Sequence, residues 1–396
     1  MRTVLASFVA CVAFALLPLQ TGAVSLEFAV PDCGFPCNGD AVAIDGDTAA
    51  FTRLDTLNGT VIVDVYVRND GAWNWQAGIT DPLLDSDPDA AGASEFGTLL
   101  ALQGDTLLVA ATGFGTRRLS RIVAFQRTGA HWSHTQTLNF LGTGSGAVFT
   151  GLALRGNTAA IGVLESARVG RVYVFERRNG LFTRRADVGR EFMGRNGGDE
   201  SAYPLAFDGD TLVIGSATEN ESRGAAYTYR RSGAAWRLKQ KLIDSTAAAG
   251  DRFGNSVAVL GDSLAIGRLG PEPMETNPHG QVNIYTRASG AWILQQVLRS
   301  PGPVLPNYMF WVSTFGSQLA FGEGKLIASA NYPFDRFFEA PGAHLFELVA
   351  GVWTPTALID TAGALQGAAI SADHAVLSGD SLRWANSVFI YDLETP

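Results

Sequence analysis

The sequence predicts an all-β protein, a seven-bladed β-propeller whose blades are four-stranded antiparallel sheets. Three observations support this fold class: a short two-strand motif recurs seven times, the same third and fourth strands follow it, and the start of the chain supplies a strand that the last copy lacks. Apolar residues at the helical spacing of three to four are absent along the chain, which argues against a helical or mixed fold.

The repeated motif is a pair of short apolar strands joined by a tight polar turn, as in VAVLGDSLAIG at 257–267. Its seven turns fall at positions 46, 104, 156, 209, 261, 323 and 372, with spacings of 49 to 62 residues. A Gly-Asp pair between two apolar runs is a hairpin signal, because both residue types tolerate the positive φ angles of two-residue turns. Self-similarity at such a period is typical of propellers and other repeat folds.

Each motif is followed by a third strand with alternating aromatic residues, such as VDVYVRN at 63–69 and GQVNIYTR at 280–287. A glycine-containing turn then leads to a fourth strand. In the first six units this fourth strand opens with an aromatic residue: Trp73, Trp132, Phe182, Trp236, Trp292 or Trp353. Four short antiparallel strands per unit and seven units predict the propeller.

The seventh unit ends at Pro396 after its third strand, and the apolar stretch SLEFAV at 25–30 belongs to no unit. We predict that residues 25–30 complete the last blade, which closes the ring and removes a free sheet edge. A sandwich of two sheets would leave both the sevenfold period and the missing strand unexplained.

Gly261-Asp262-Ser263-Leu264 also matches the signature of a family of serine esterases. The stretch occupies the slot that Gly-Asp-Thr or Gly-Asn-Thr fills in other units, and none of the five histidines has an aspartate three residues before it. The sequence therefore predicts that Ser263 belongs to a hairpin turn and is not a nucleophile.

The first residues have one early arginine, an apolar run from Val4 to Leu19 and small residues at Thr21 and Ala23, which is the pattern of a secretory signal peptide. We expect residues 1–23 to be removed and 24–396 to form a single propeller that is secreted, extracellular or periplasmic. No later segment is long and apolar enough to span a membrane. Arginines far outnumber the three lysines, which hints at a bacterial source.

The formal net charge of −9 excludes a basic footprint for nucleic acid. Two cysteines remain after the leader, Cys33 and Cys37. In an oxidising compartment they favour a local disulfide, because a metal site would need more ligands than two close thiols.

Around residues 247–267 the sequence resembles the FG-GAP repeat family, whose propeller repeats are related to those of integrin α-subunits. The Phe-Gly pair recurs in register at Phe96-Gly97, Phe253-Gly254 and Phe315-Gly316. The resemblance implies the propeller fold. Many family members carry a calcium loop between the first two strands of a blade, and here that loop is shortened to the two-residue Gly-Asp turn, which cannot supply six or more oxygen ligands.

One acidic stretch, DSDPDAAGASEFG at 85–97, begins like a calcium loop. Asp85, Asp87 and Asp89 are the candidate ligands, and Ca²⁺ is the only cofactor that the sequence raises. Ala90 replaces the glycine of the sharp bend, and Phe96 stands where a bidentate glutamate is expected. The alternative interpretation is a solvated acidic loop between blades.

In an up-and-down blade the loops after strands two and four open on one face, here the variable-loop face, and the turns after strands one and three open on the other, here the tight-turn face. Blade 6 has two long aromatic loops on the variable-loop face, where binding is expected. Their candidate binding residues are Tyr308, Phe310, Trp311, Phe334, Phe337 and Phe338. They form either a platform for a protein or a sugar ring, or a small satellite core of two loops packed on each other.

The sequence thus predicts a secreted binding or interaction module, a monomer whose ligand is a protein or a carbohydrate. The competing hypothesis is a secreted hydrolase or lyase that uses the central opening of the propeller. Such a site would need polar residues at the starts of several innermost strands, and Asp199 and Asp251 are the main polar residues there.

Overall fold

A computed structural model describes residues 25–30, 41–55, 59–83, 94–113, 119–141, 147–165, 169–188, 204–233, 235–270, 280–301, 315–330, 342–360, 364–371, 373–381 and 385–393. These residues form seven four-stranded antiparallel sheets arranged as the blades of a propeller. The predicted fold class is confirmed. Among the described residues, no helix is long and apolar enough to cross a membrane.

The strands are numbered in chain order, and each of the first six blades uses four consecutive ones. Blade 1 contains β2 (Val42–Asp45), β3 (Thr48–Asp55), β4 (Thr60–Asn69) and β5 (Ala72–Ile79). Blade 2 contains β6 (Ser94–Gln103), β7 (Thr106–Gly113), β8 (Leu119–Thr128) and β9 (His131–Leu141). Blade 3 contains β10 (Val148–Arg155), β11 (Thr158–Glu165), β12 (Val169–Arg178) and β13 (Leu181–Val188).

Blade 4 contains β14 (Leu205–Asp208), β15 (Thr211–Ser216), β16 (Ala225–Ser232) and β17 (Ala235–Leu242), with the one-turn segment α1 (Glu219–Ser222) between β15 and β16. Blade 5 contains β18 (Ser256–Leu260), β19 (Ser263–Arg268), β20 (Gln281–Ala288) and β21 (Ala291–Arg299). Blade 6 contains β22 (Leu319–Gly322), β23 (Lys325–Ala330), β24 (Gly342–Val349) and β25 (Val352–Asp360).

Blade 7 joins the two ends of the chain. It contains β26 (Ala364–Ile370), β27 (His374–Ser381), β28 (Ala385–Asp392) and, as its outermost strand, β1 (Ser25–Val30). β1 runs antiparallel to β28 from the pair Ser25–Asp392 to the pair Val30–Val388. The predicted closure of the ring by residues 25–30 is confirmed, and the innermost strands β26 and β2 of blades 7 and 1 are in contact.

In blades 1 to 6 the turns between the first two strands are the two-residue turns that the sequence predicts; in blade 7, β26 ends at Ile370 and β27 begins at His374, with three residues between them. In the turn 261–262 of blade 5, Gly261 has a φ of 58°, and Ser263 is the first residue of β19, where it pairs with Leu260 and Thr286. The hairpin interpretation of Ser263 is confirmed. Blade 6 differs, because its positive φ of 67° falls on Gly324, so Glu323 occupies the first turn position.

The hydrophobic core is divided among the junctions between blades. Each of the seven apolar clusters in the described part of the chain draws its residues from two consecutive blades, including the junction between blades 7 and 1. Each buried aliphatic side chain contributes about 1.5–3 kcal/mol. The ring is therefore held by seven similar interfaces between blades.

The Phe-Gly pairs fix the distance between neighbouring blades. Phe253 is fully buried and its N–H donates to the carbonyl of Arg223 in blade 4 at 3.0 Å. Gly254 has a φ of 88°, and a Cβ there would overlap the carbonyl oxygen of Ala225. A Cβ on Gly224 would likewise overlap the backbone of Phe253. The close backbone approach explains why glycine is needed on both sides of this junction.

The same contact recurs one blade later. A Cβ on Gly280 would overlap the backbone of Phe315, and one on Gly267 would overlap the carbonyl oxygen of Gly316. Phe315 is fully buried. The second and third Phe-Gly pairs therefore serve the same structural purpose, which is to insert a backbone corner between the second and third strands of the preceding blade.

Candidate interaction surface on blades 5 and 6

The site residues predicted from the sequence lie outside the described residues. They are the aromatic residues Tyr308, Phe310, Trp311, Phe334, Phe337 and Phe338, the candidate calcium ligands Asp85, Asp87 and Asp89, and the cysteines Cys33 and Cys37. Their predicted roles stay predictions. Within the described ranges, no three or more His, Cys, Asp or Glu side chains are grouped so that they could hold a metal ion.

An exposed apolar surface lies on the outer edge of blades 5 and 6. It consists of aliphatic side chains of β21 and of the β24–β25 hairpin that are each 39–58% exposed: Ile293, Leu294, Val297, Leu348, Val349, Val352 and Leu358. We call this surface the apolar rim. Groups of exposed apolar residues mark interaction sites more often than isolated ones do.

The neighbouring blade 4 has charges at several positions where the apolar rim has aliphatic residues, and it has the exposed Leu238 at the position of Leu294. The strand register places Arg237 of β17 at the position of Ile293, and Lys241 at the position of Val297 and Leu358. Exposed edge strands are usually protected by such charges, because an uncharged edge invites pairing or packing with another chain. Residues 291–298 contain no charged side chain.

The two halves of the apolar rim are held together by side-chain hydrogen bonds. The side chain of Gln296 in β21 donates to the carbonyl of Trp353 at 2.8 Å and accepts from its N–H at 2.9 Å. Gln295 donates to the carbonyl of Gly351 at 2.6 Å. These bonds link the outer strand of blade 5 to the β24–β25 hairpin of blade 6.

In blades 1 to 5 an arginine of the third strand lies on the tight-turn face. The backbone N–H of this residue donates to a carbonyl of the first turn of its own blade. Its cross-strand partner is the aromatic residue near the start of the fourth strand. The arginines are Arg68, Arg127, Arg177, Arg231 and Arg287 in blades 1 to 5.

Three of these arginines reach the residue after the Gly-Asp or Gly-Asn turn of the preceding blade. Arg127 donates to the Thr48 hydroxyl at 3.0 Å, and Arg287 donates to the Thr211 hydroxyl at 2.6 Å. Arg177 donates to the hydroxyl of Thr106 in the same way. Each guanidinium therefore fills the space between two blades and satisfies a hydroxyl on the far side.

Blade 6 has Leu348 at this position. Its N–H donates to the carbonyl of Gly324 at 2.9 Å and it pairs across the strands with Trp353, as the arginines do with their aromatic partners. Leucine is too short to reach blade 5, and a surface groove opens at the junction. The groove is lined by Leu260, Ser263, Phe321, Glu323, Leu348 and Trp353. In blade 7 the corresponding residue, Leu393, is buried.

Comparison with known proteins supports the family resemblance over one stretch of the chain. Residues 236–282 match the family model of the FG-GAP repeat. The chain carries an FG-GAP repeat. No curated protein matches the chain.

Solved structures show the same fold at low sequence identity. The crystal structure of a protein from Lactobacillus plantarum is similar with a TM-score of 0.52 and 11% identity, over 81% of this chain and 84% of that one. A structure from a study of two prolyl endopeptidases is similar with a TM-score of 0.51 and 14% identity, over 85% of this chain. This chain spans 42% of that second protein. At these identities the likeness establishes the fold alone.

The FG-GAP match spans a buried polar cluster between blades 4 and 5. Arg268 donates to Asp244 at 2.8 Å and also forms an ion pair with Asp251. Burial by itself raises the pKa of Asp244, but hydrogen bonds from Thr246 and Arg268 outweigh it and hold the pKa below its ordinary value. Asp251 is 1% exposed. The polar residue that the sequence placed near the central opening is therefore enclosed and paired.

A buried histidine lies at the start of the third strand of blade 6. The His344 ring packs edge-on to Phe315 and Phe346, with centroids 5.9 and 6.3 Å away, and its Nε2 lies 3.5 Å from the Ser300 hydroxyl. Burial lowers the pKa of His344 to about 4, so the ring is neutral at physiological pH. Its environment is that of a core residue.

Sequence reasoning missed the apolar rim and the groove, although signals for both are present. WILQQVL in β21 has no charge where WRLKQKL in β17 has three. The substitution of leucine for arginine at 348 is also visible in the aligned third strands. Its consequence depends on a contact between blades, which the repeat pattern alone does not specify.

Proposed function

We propose that this chain is an exported binding module that docks a protein partner on the apolar rim of blades 5 and 6. One observation carries the proposal: Ile293, Val297 and Leu358 are exposed where the equivalent positions of blade 4 are charged. The ring does not need these side chains for its own packing, because the interfaces between blades are formed by other, buried residues.

The chemistry of the rim favours a protein over a carbohydrate. Its side chains are aliphatic, and aliphatic surfaces have neither the aromatic faces nor the polar groups that orient a sugar ring. Aliphatic and aromatic side chains surrounded by a polar border are the usual centre of protein–protein interfaces. Carbohydrate binding by the aromatic residues of 302–314 and 331–341 is the second candidate, supported by their composition.

Secretion, cleavage after residue 23, the Cys33–Cys37 disulfide and a monomeric state belong to the same proposal. The composition of the first residues supports export, and an oxidising compartment supports the disulfide. The enzyme hypothesis has weaker support, since Asp251, a main polar candidate of the central opening, is enclosed and ion-paired.

Capture from the exported fraction of the native host tests the proposal. Three forms of the mature chain are compared: wild type, the rim variant Ile293→Lys/Val297→Glu and the control Ser133→Lys/Thr137→Glu, which makes the same changes at the equivalent positions of β9 in blade 2. We expect wild type and control to retain the same protein, and the rim variant to lose about thirtyfold in affinity. Equal retention by all three forms, or no protein retained by wild type, would contradict the proposal.

A further inference from the structure

We infer that the groove between blades 5 and 6 binds an arginine side chain of the protein partner. The inference rests on the proposed function, since the groove adjoins the apolar rim through Leu348. It adds the chemical identity of one contact that the partner makes.

The molecule contains its own templates for this contact. At the junctions before blades 2, 3 and 5, the space on the tight-turn face is filled by Arg127, Arg177 and Arg287. The guanidinium of Arg287 lies 4.5 Å from the ring centroid of Trp292, and that of Arg127 lies 5.3 Å from the ring centroid of Trp132. These junctions show which side chain fits between two blades at this height in the ring.

The junction between blades 5 and 6 has a hydroxyl that could accept a hydrogen bond from an arginine, but it has leucine in place of the arginine. Ser263 follows the Gly-Asp turn of blade 5, where Thr48, Thr106 and Thr211 accept an arginine in other blades. Its partly exposed hydroxyl makes no side-chain hydrogen bond with the residues that the structure describes. Leu348 ends short of it, so the space between them is open.

In two of the filled junctions the arginine pairs with the turn aspartate of its own blade: Arg127 lies 2.7 Å from Asp105, and Arg287 lies 3.6 Å from Asp262. In the groove a glutamate provides the anion. Glu323 occupies the first turn position of blade 6, a position held by glycine in blades 1 to 5, and its exposed carboxylate lines the groove. An arginine that enters the groove loses part of its hydration while it stays charged. A carboxylate at the entrance compensates the cost of this desolvation. The chain's net charge of −9 favours a cationic contact as well.

Arginine suits this groove better than lysine. Its planar group can donate in two directions at once, as Arg177 does to Thr106 and to Gln126, the cross-strand partner of that threonine. Ser263 has a polar cross-strand partner too, Thr286. Guanidinium also packs against aromatic and aliphatic walls at a lower desolvation cost than ammonium. Phe321 and Leu348 provide such walls, and Trp353, only 3% exposed, forms the floor.

N-acetyl-L-arginine amide tests the inference by NMR titration of the mature chain, with the indole N–H of Trp353 and the amides of the 323–324 turn as reporters. We expect saturable shifts at these sites with a dissociation constant on the order of 1 mM. N-acetyl-L-lysine amide should bind at least about fivefold more weakly. Glu323→Gln should weaken arginine binding by a similar factor.

Leu348→Arg is the decisive variant, because it supplies the missing side chain from within. We expect it to abolish binding of the arginine amide and to raise Tm by about 1–2 °C. Absence of shifts in wild type, equal binding of the lysine amide, or undiminished arginine binding by Leu348→Arg would overturn the inference.

The same titration on Ile293→Lys/Val297→Glu separates this inference from the proposed function. That variant alters the rim outside the groove and should bind the arginine amide as wild type does. If the rim variant loses the partner and the amide never binds, the docking surface stands and the arginine contact falls. If the amide binds while no partner depends on the rim, the docking surface falls.

Discussion

Arg287 and Trp292 face each other across β20 and β21, with the guanidinium 4.5 Å from the ring centroid. The same guanidinium donates to Thr211 of the preceding blade at 2.6 Å. One side chain therefore stabilises its own hairpin and the junction between two blades.

Replacing this arginine by the residue that blade 6 uses should weaken the ring. We expect Arg287→Leu to lower the free energy of unfolding by about 1–2 kcal/mol, because a hydrogen bond and a cation–π contact are lost. Urea denaturation measures the change. Arg230→Leu, at an exposed position of the same sheet type, should cost less than about 0.5 kcal/mol, and equal losses in both variants would contradict the role assigned to Arg287.

The close approach at the Phe-Gly corner predicts a large effect of a single methyl group. Gly254→Ala should destabilise the protein by about 3 kcal/mol or more, because the new Cβ meets the Ala225 carbonyl and the residue has a φ of 88°. Gly261→Ala is the matched control, with a φ of 58° and open space around its Cβ, and should cost about 1–2 kcal/mol. Thermal unfolding of both proteins distinguishes packing from backbone strain; similar Tm values would mean that the corner is not tightly packed.

A buried ion pair between blades 1 and 2 predicts asymmetric results from single and double substitutions. Arg121 and Asp81 form an ion pair with side chains 1% and 4% exposed. Asp81→Ala should cost about 3–5 kcal/mol, because it leaves a buried guanidinium without its carboxylate. Asp81→Leu combined with Arg121→Met should recover most of that loss, as followed by denaturant unfolding. A double variant as unstable as Asp81→Ala would show that the pair itself, and not the uncompensated charge, sets the cost.

The buried His344 predicts a pH dependence of stability. Its folded-state pKa of about 4 lies below the ordinary value of 6.5, so the unfolded chain binds the proton more tightly between these pH values. The stability that the neutral ring provides is complete above about pH 6.5 and is lost as pH falls towards 4. The loss amounts to about 3 kcal/mol.

His344→Phe should remove this dependence, because phenylalanine does not titrate. Phenylalanine also occurs at the equivalent strand position of blade 7, as Phe389. The difference in unfolding free energy between variant and wild type, measured from pH 7 to pH 4, isolates the histidine from the carboxylates that titrate in the same range. His131→Phe, at an exposed position, serves as the control. A difference that does not change with pH would show that the pKa of His344 is the same in the folded and unfolded states.

The repeat made most of the fold predictable. Turns such as 46–47 and 261–262 have the glycines that their backbone angles require, and the unpaired stretch 25–30 could only complete the one incomplete sheet. These features are local or follow from counting strands. The Phe-Gly pairs at Phe253 and Phe315 are visible in the sequence as a motif. Their structural role depends on the close approach of the backbones of two blades, and the sequence around each pair does not reveal that approach.

The candidate site was less predictable for a related reason. Attention to long loops led to Tyr308 and Trp311, whereas exposure is established in the outer strands, at residues such as Ile293 and Leu358. An aliphatic residue in a strand predicts burial unless the sheet edge is known to be open. Leu348 indicates a groove only when it is compared with Arg287 at the equivalent position of blade 5. Leucine does not fill the space that arginine fills, and the groove opens against the neighbouring blade.

Amide hydrogen exchange of the mature chain, with and without the partner recovered by wild type, tests the central claim most directly. Docking on the apolar rim predicts that protection increases in β21 (Ala291–Arg299) and β25 (Val352–Asp360), with no change in β13 (Leu181–Val188) of blade 3. Protection confined to the innermost strands, with β21 and β25 exchanging as in the free chain, would contradict the account.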